Sequence, residues 1–250
     1  MQDFSKIKIR CSSLGLILTN PKEKFAKDAG ELSETAKKEL VKIYNQKRFG
    51  RRKEIITKQI EKGLSAEEDS FTLLSVVDRK FYTKNTEPKE NDWITGFCDI
   101  DDEPIIDVKT SWELDTFTNK LIEKIDSGYE YQLQGYMWLY GRNTAKLSYC
   151  LVNTPDFIIQ KGKRNLLYNM NVISEESEDY KIAEAELEHD MIFDDIPKEL
   201  RVISHTFNFD ETFPDKVKAK VEKARIFLNE LAQKHNNMNN YKSNQHGNRS

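Results

Sequence analysis

The chain is poor in the residues that carry the commoner enzymatic chemistries. Its three cysteines, Cys11, Cys98 and Cys150, are widely spaced and set among apolar neighbours. That excludes a disulfide framework and a CxxC metal site, and predicts buried free thiols. The four histidines, His189, His205, His235 and His246, all fall late in the sequence, with no pair at metal-ligand spacing. A zinc hydrolase or a histidine-metal nuclease is therefore not indicated. Among the ten glycines no two are separated by a single residue, and no Gly-Lys follows another Gly at P-loop spacing, so both common nucleotide-binding signatures are missing. No uncharged apolar run approaches the ~18 residues of a membrane-spanning helix. The N-terminus carries Asp3 where a secretory signal would have an apolar stretch. The expectation is a cytoplasmic protein whose polar chemistry, if it is an enzyme, rests on carboxylates, Lys, Gln or Tyr.

Neither charge dominates. In 250 residues, 39 Lys and Arg face 42 Asp and Glu, a net of −3, which excludes an indiscriminate DNA coat and leaves any DNA contact to local patches. With 38% hydrophobic and 32% charged residues, the chain can bury a sizeable core while staying in water. One domain is expected over residues 1–232. Residues 233–250 hold six Asn and few apolar side chains, the composition of a disordered tail.

The early pattern is helical. Ser33 suits the N-cap of a helix running to Asn45. The run Lys47-Arg48-Phe49-Gly50-Arg51-Arg52-Lys53 follows, with Ile55, Ile56 and Ile60 at helical intervals beyond it. Gly63 reads as an interruption, after which a helix spans Ser65 to Val77, and the polar stretch Thr83 to Asp92 reads as a loop. From Trp93 the period becomes two. Trp93 to Ile100 reads as a strand, Asp101 to Pro104 as a turn, and Ile105 to Lys109 as a second strand paired with the first. Helices are expected on the stripe Leu114, Phe117, Leu121 and Ile125, over Tyr129 to Tyr140, and over Lys216 to Ala232. Lys146 to Val152 reads as a further strand. The alternation predicts an α/β fold.

Successive strand side chains alternate, so Asp107 and Lys109 share a face while Val108 looks the other way. The pair interrupts an otherwise apolar strand, and burying charge is costly without a purpose or a partner. The preceding strand brings Asp99 near, and two aspartates on rigid strands suit a hard divalent cation such as Mg²⁺. Lys109 would orient or activate an attacking water and stabilise charge on a phosphoryl group. Glu67 falls on a stripe with Leu64, Phe71 and Leu74 and is read as an inward carboxylate. Gln132 and Tyr136, four apart, lie on one helical face. The basic run Lys47 to Lys53, with Arg48, Arg51 and Arg52, suits contacts to phosphates. Its plain alternative is a solvated helix face.

In order, Gly63-x-x-x-Glu67, Gly96-x-x-Asp99, Ile106-Asp107-Val108-Lys109-Thr110 and Gln132-Leu133-Gln134-Gly135-Tyr136 resemble the PD-(D/E)XK nuclease superfamily in its RecB-type branch with a Gln-x-x-x-Tyr signature. From about residue 7 to 230 the chain resembles the phage recombination exonucleases related to lambda exonuclease. The resemblance implies a restriction-endonuclease-like mixed central β-sheet flanked by helices. It implies metal ligation by Glu67, Asp99, Asp107 and the Val108 backbone carbonyl, with Lys109 as catalytic lysine and Gln132 and Tyr136 orienting the DNA or the site. Arg10 with Ser12 or Ser13 resembles an N-terminal element that contacts a terminal phosphate. The implied activity is a Mg²⁺-dependent, 5′→3′ exonuclease on double-stranded DNA ends, with Mn²⁺ as a substitute, in a bacterial or phage-infected cytoplasm. A single-strand annealing protein is the implied partner and a trimer the implied assembly. The motif here is Asp-x-Lys where the lambda enzyme has Glu-x-Lys. Three scattered cysteines also leave no place for the four-cysteine iron–sulfur cluster of some RecB-type members. An endonuclease of the same superfamily and a non-catalytic DNA-binding recombination partner remain the alternatives.

Overall fold

A computed structural model describes residues 3–53, 57–171 and 174–247, with side chains as far as residue 237. Strand β1 (Ile9–Arg10) turns at Cys11–Ser13 into α1 (Leu14–Ile17), followed by α2 (Lys24–Asp28), α3 (Glu34–Phe49), α4 (Lys58–Ser65) and α5 (Glu67–Val77). Then come β2 (Lys89–Glu90), β3 (Ile94–Gly96), β4 (Ile105–Thr110), α6 (Leu114–Thr118) and α7 (Ser127–Tyr140). The chain closes with β5 (Thr144–Cys150), α8 (Asp156–Met170), α9 (Glu178–His189), β6 (Val202–Asn208) and α10 (Phe213–Gly247).

Local chemistry sets the helix ends. The Ala36 N–H donates to Ser33 Oγ at 3.0 Å, capping α3 as the sequence predicts. The helix outruns the expected Asn45 and stops at Gly50, whose φ of 65° is left-handed. Lys47 and Arg48 thus sit in its last turn, where cations oppose the helix dipole. Gly63 does not interrupt: α4 runs through it, and the break falls at buried Ala66. Ile55 and Ile56 lie outside the described residues. Asp126 caps α7 by accepting from the Gly128 N–H at 2.6 Å.

The strands form two three-stranded mixed sheets, ordered β1-β3-β2 and β4-β5-β6, with helices around them. In the first, β1 runs parallel to β3 with Ile9 opposite Ile94, and β2, drawn from the expected polar loop, pairs antiparallel to β3. In the second, β4 runs parallel to β5 with Asp107 opposite Leu147, and β6 is antiparallel to β5. The expected hairpin between Trp93–Ile100 and Ile105–Lys109 does not form. Strand β3 ends at Gly96 and has β1 and β2 on its two edges, which leaves none for β4, and among the described residues an isolated Ile100–Ile106 bridge joins the two segments. The Leu114 to Ile125 stripe also fails. Helix α6 gives way to a 3₁₀ turn that resets the period, so Phe117 is buried while Leu121 is 68% exposed.

One core gathers the buried face of α10 (Val217, Val221, Ala224 and Leu228) with Ala36, Leu40 and Tyr44 of α3 and Ile9 of β1. A second packs Phe71, Leu73 and Leu74 of α5 against Ile100, Ile106 and Cys150. This contact fixes the start of α5 over the second sheet. All three cysteines are buried and free, as expected. The expected break at Ala232 is absent: α10 stays helical to Gly247, and beyond Ala232 it is held to α3 by Tyr44 Oη on His235 Nδ1 at 3.0 Å and Arg48 donating to Asn236 Oδ1 at 2.7 Å. No helix among the described residues is long and apolar enough to cross a membrane.

Two contacts between elements are unusually demanding. Gly15 of α1 meets Gly128 of α7 so closely that a Cβ on Gly15 would lie 2.5 Å from the Gly128 Cα. Gly15→Ala should therefore destabilise the fold by about 1–3 kcal/mol in urea unfolding. Lys62 of α4 is fully buried; its ammonium donates to the Trp112 carbonyl at 2.8 Å and lies 5.1 Å from the Phe193 ring centre. Burial lowers its pKa from 10.5 to about 8. The unfolded chain then binds the extra proton between those values, so this group's contribution to stability rises as pH rises from about 8 to 10.5. Chemical denaturation across that window should show the rise in the wild type, and a shallower one in Lys62→Met.

Candidate active site

Strand β4 builds the centre of the site. Its first three residues are buried and its last three half-buried, so the strand passes from core to cleft at Asp107. Asp107 is 2% exposed, and the Lys109 ammonium lies 2.6 Å from Asp107 Oδ2. The alternation read from the sequence therefore brings these two side chains together. Among the described residues, the buried Asp107 Oδ2 receives no directed hydrogen bond and its close cation is Lys109. Burial works against charge on Lys109, but the Asp107 and Asp99 carboxylates outweigh it and hold the amine above its usual pKa. Lys109 is thus an ammonium here.

Asp99 arrives without the hairpin that was expected to deliver it. Past the end of β3 the chain bends, and Asp99 Oδ2 accepts the Val108 N–H at 2.7 Å, on the edge of β4 away from β5. Ile100 bonds Ile106 on that same edge. A residue's N–H and C=O point to the same side of an extended strand, so the Val108 carbonyl also faces the Asp99 side. Burial, and then the charge of Asp107, push the Asp99 carboxyl up to about 7. A buried carboxylate, Asp107, thus disfavours charge on its half-buried neighbour Asp99.

Helix α7 supplies the polar wall. The Gln132 amide donates to Asp107 Oδ1 at 3.1 Å and to the Tyr136 hydroxyl at 2.8 Å, so the pair expected on one helical face both reach the site. Tyr136 is held against Gly96, where a Cβ would meet its ring at 3.1 Å. Burial, then Asp107, raise the Tyr136 pKa, keeping the phenol neutral.

Glu67 opens α5 over Phe71 and Leu74, both buried as the stripe predicted, but Leu64 belongs to α4 and is 71% exposed. Its carboxylate contacts Lys84 Nζ at 2.5 Å and adds a weak negative influence on Asp99. Glu67, Asp99 and Asp107 are therefore neighbours without converging. Among the described residues, no group of three or more His, Cys, Asp or Glu is arranged to hold a metal ion. The donor chemistry at β4 nonetheless fits a hard cation: a buried Asp107 Oδ2 without a directed hydrogen bond, a second carboxylate whose charge is disfavoured, and a carbonyl on the same edge.

The remaining predicted residues are dispersed. Arg10 is exposed at the end of β1. Ser12 is exposed and borders a cavity of about 270 Å³ that Gly15, Asp126, Tyr129 and Gln132 also line. Ser13 turns inward instead, donating to the buried Glu39 at 3.1 Å. Arg48 is tied to α10, while Arg51, Arg52 and Lys53 are exposed beyond α3. Two neighbours of the site were not anticipated. Lys84 came from a loop with no local signal. Tyr129, whose ring centre lies 5.2 Å from Lys109 Nζ, was within reach of helical spacing, one turn before Gln132.

Replacing Asp99 by Asn keeps an acceptor for the Val108 N–H and removes one of the competing charges. Asp99→Asn should raise the stability of the chelator-treated protein by about 0.5–2 kcal/mol at neutral pH, read as a higher urea midpoint.

No family model matches the chain, and no curated protein matches it. Among solved structures it is similar to a phage-related exonuclease from Haemophilus somnus, with 30% sequence identity and a TM-score of 0.70 over 92% of this chain and 97% of that one. It also shares its fold with an alkaline exonuclease from Laribacter hongkongensis, at 12% identity and a TM-score of 0.60 over 92% and 94% of the two chains. A structure of the Laribacter enzyme in complex with dAMP matches at 13% identity and a TM-score of 0.57, over 95% of this chain and 94% of that one.

Proposed function

Since this chain belongs to the family of phage-related exonucleases, we propose that it is a Mg²⁺-dependent nuclease of the PD-(D/E)XK type that degrades duplex DNA from its ends, 5′→3′. The observation that carries the reading is the Asp107–Lys109 pair on a buried strand, with Asp99 on the adjoining edge and Gln132 on Asp107. A purely structural strand has no use for that concentration of charge.

Asp99, Asp107 and the Val108 carbonyl would hold the divalent cation, with Glu67 as the further carboxylate. When bound, the cation, Mg²⁺ or Mn²⁺ in its place, supplies Lewis-acid polarisation of the phosphate and activation of water. The other roles belong to the chain. Lys109, favoured as an ammonium, donates hydrogen bonds and offsets the negative charge that grows on the phosphoryl oxygens as the bond to the leaving oxygen breaks. It is a poor base in that state, so orienting the nucleophile suits it better than taking its proton. Gln132 holds Asp107 in place through Oδ1, leaving Oδ2 for the reacting side. Tyr136, kept neutral, fixes Gln132 in turn. Arg10 and Ser12 suit the terminal phosphate, and Arg51, Arg52 and Lys53 suit the backbone of the duplex. Ser13, spent on Glu39, is left out of that set. A role in phage-type recombination, beside a single-strand annealing protein, follows from the same family reading.

Linear duplex labelled separately at its 5′ and 3′ ends tests the proposal. With Mg²⁺ or Mn²⁺ the wild type should release 5′-label first, and a chelator should stop it. Lys109→Ala and Asp107→Asn should each slow release by about 10²–10⁴-fold while keeping the wild-type circular dichroism spectrum. Intact duplex in both metals, or variants as fast as wild type, would remove the nuclease reading. Cutting of closed circular DNA would turn it towards an endonuclease.

A further inference from the structure

Lys109 is gripped from more than one direction. Asp107 holds its ammonium by charge at 2.6 Å, and the Tyr129 ring lies beneath it, 5.2 Å from Nζ to the ring centre. Tyr129 itself is braced. Tyr149, directly opposite Lys109 in the β4–β5 register, meets it edge-on at 6.5 Å and 75°. His205 of β6 braces Tyr149 in the same way at 6.2 Å and 79°. A chain of three rings, from α7, β5 and β6, thus ends at the amine through Tyr129. On α7, Tyr129 stands three residues before Gln132 and seven before Tyr136, so a single helical face presents all three towards β4.

The geometry points to Tyr129 as a positioning residue for Lys109, its ring holding the ammonium in the direction that serves the reaction. This rests on the nuclease reading above. An ammonium on a four-carbon stem has many rotamers, and one carboxylate 2.6 Å away sets its distance better than its direction. The face of an aromatic ring attracts a cation and closes off the orientations behind it. The ring is what acts in this arrangement, so a phenylalanine should serve nearly as well. Tyr129 also lines the cavity beside Gln132, which raises a rival in which the ring contacts DNA directly.

Steady-state digestion of linear duplex with Mg²⁺ by wild type, Tyr129→Phe and Tyr129→Leu separates the two. Positioning predicts a kcat about tenfold lower for Tyr129→Leu, KM unchanged within twofold, and most of kcat restored in Tyr129→Phe. A second readout does not depend on cleavage. The Lys109 side-chain resonances should carry an upfield ring-current displacement in wild type and Tyr129→Phe that shrinks in Tyr129→Leu. A raised KM at constant kcat, a Phe variant as poor as Leu, or wild-type behaviour of Tyr129→Leu would overturn the inference and leave the nuclease reading standing. An inactive wild type with the displacement present would overturn the reading and the reaction role of Tyr129 with it. Absence of the displacement would overturn the contact itself.

Discussion

The site depends on keeping a carboxylate and an ammonium together at the point where a strand leaves the core. Asp107 is almost wholly buried, and a buried ion pair is not stabilising by default, since desolvation offsets the attraction unless further groups complete it. Here the completion comes from three sides. Gln132 reaches Asp107 Oδ1, Tyr129 underlies Lys109, and Asp99 occupies the β4 edge through the Val108 N–H. The fold answers to this requirement. Helix α5 is pinned to the second sheet by Phe71, Leu73 and Leu74, and α7 is brought close by the contact of Gly15 with Gly128.

The tension left over is as informative as the contacts. The charge of Asp107 adds to burial in disfavouring charge on Asp99, and among the described residues no directed hydrogen bond reaches Asp107 Oδ2. Strain of this kind fits a site whose side chains are placed for something other than stability. Two lysines away from the site are accommodated differently. Lys163 is flanked by Glu184 and Glu188, whereas buried Lys62 rests on a carbonyl and aromatic faces.

Much of the site was legible because strands and helices have fixed periods. Period two put Asp107 and Lys109 on one face, and the i, i+4 rule joined Gln132 to Tyr136. Long-range pairing was not legible. Asp99 was expected through a hairpin and arrives through a bend, because β3 pairs with β1, some 85 residues earlier, and β4 pairs with β5. Strand β6 passed unseen because its partner lies far upstream and its sequence, Val-Ile-Ser-His-Thr-Phe-Asn, has only partial alternation. Glu67 was found by a stripe that included Leu64, which proved to sit on another helix. The buried Phe71 and Leu74 carried that inference by themselves. Lys84, in a polar loop, had no periodic signal at all.

Helix α10 does more than cover a core. The Phe4 N–H donates to Asn229 Oδ1 at 3.0 Å, and Arg225 Nε donates to the Ile7 carbonyl at 3.1 Å, so segments 225 and 218 residues apart in sequence are fastened together. A chain emerging from the ribosome holds β1, β3 and α3 for most of its synthesis without the apolar face of α10 that buries them. The sheet that carries Asp107 is also incomplete until β6 has been added. The first core and the sheet of Asp107 are thus completed only by α10 and β6, elements far along the chain from those they join.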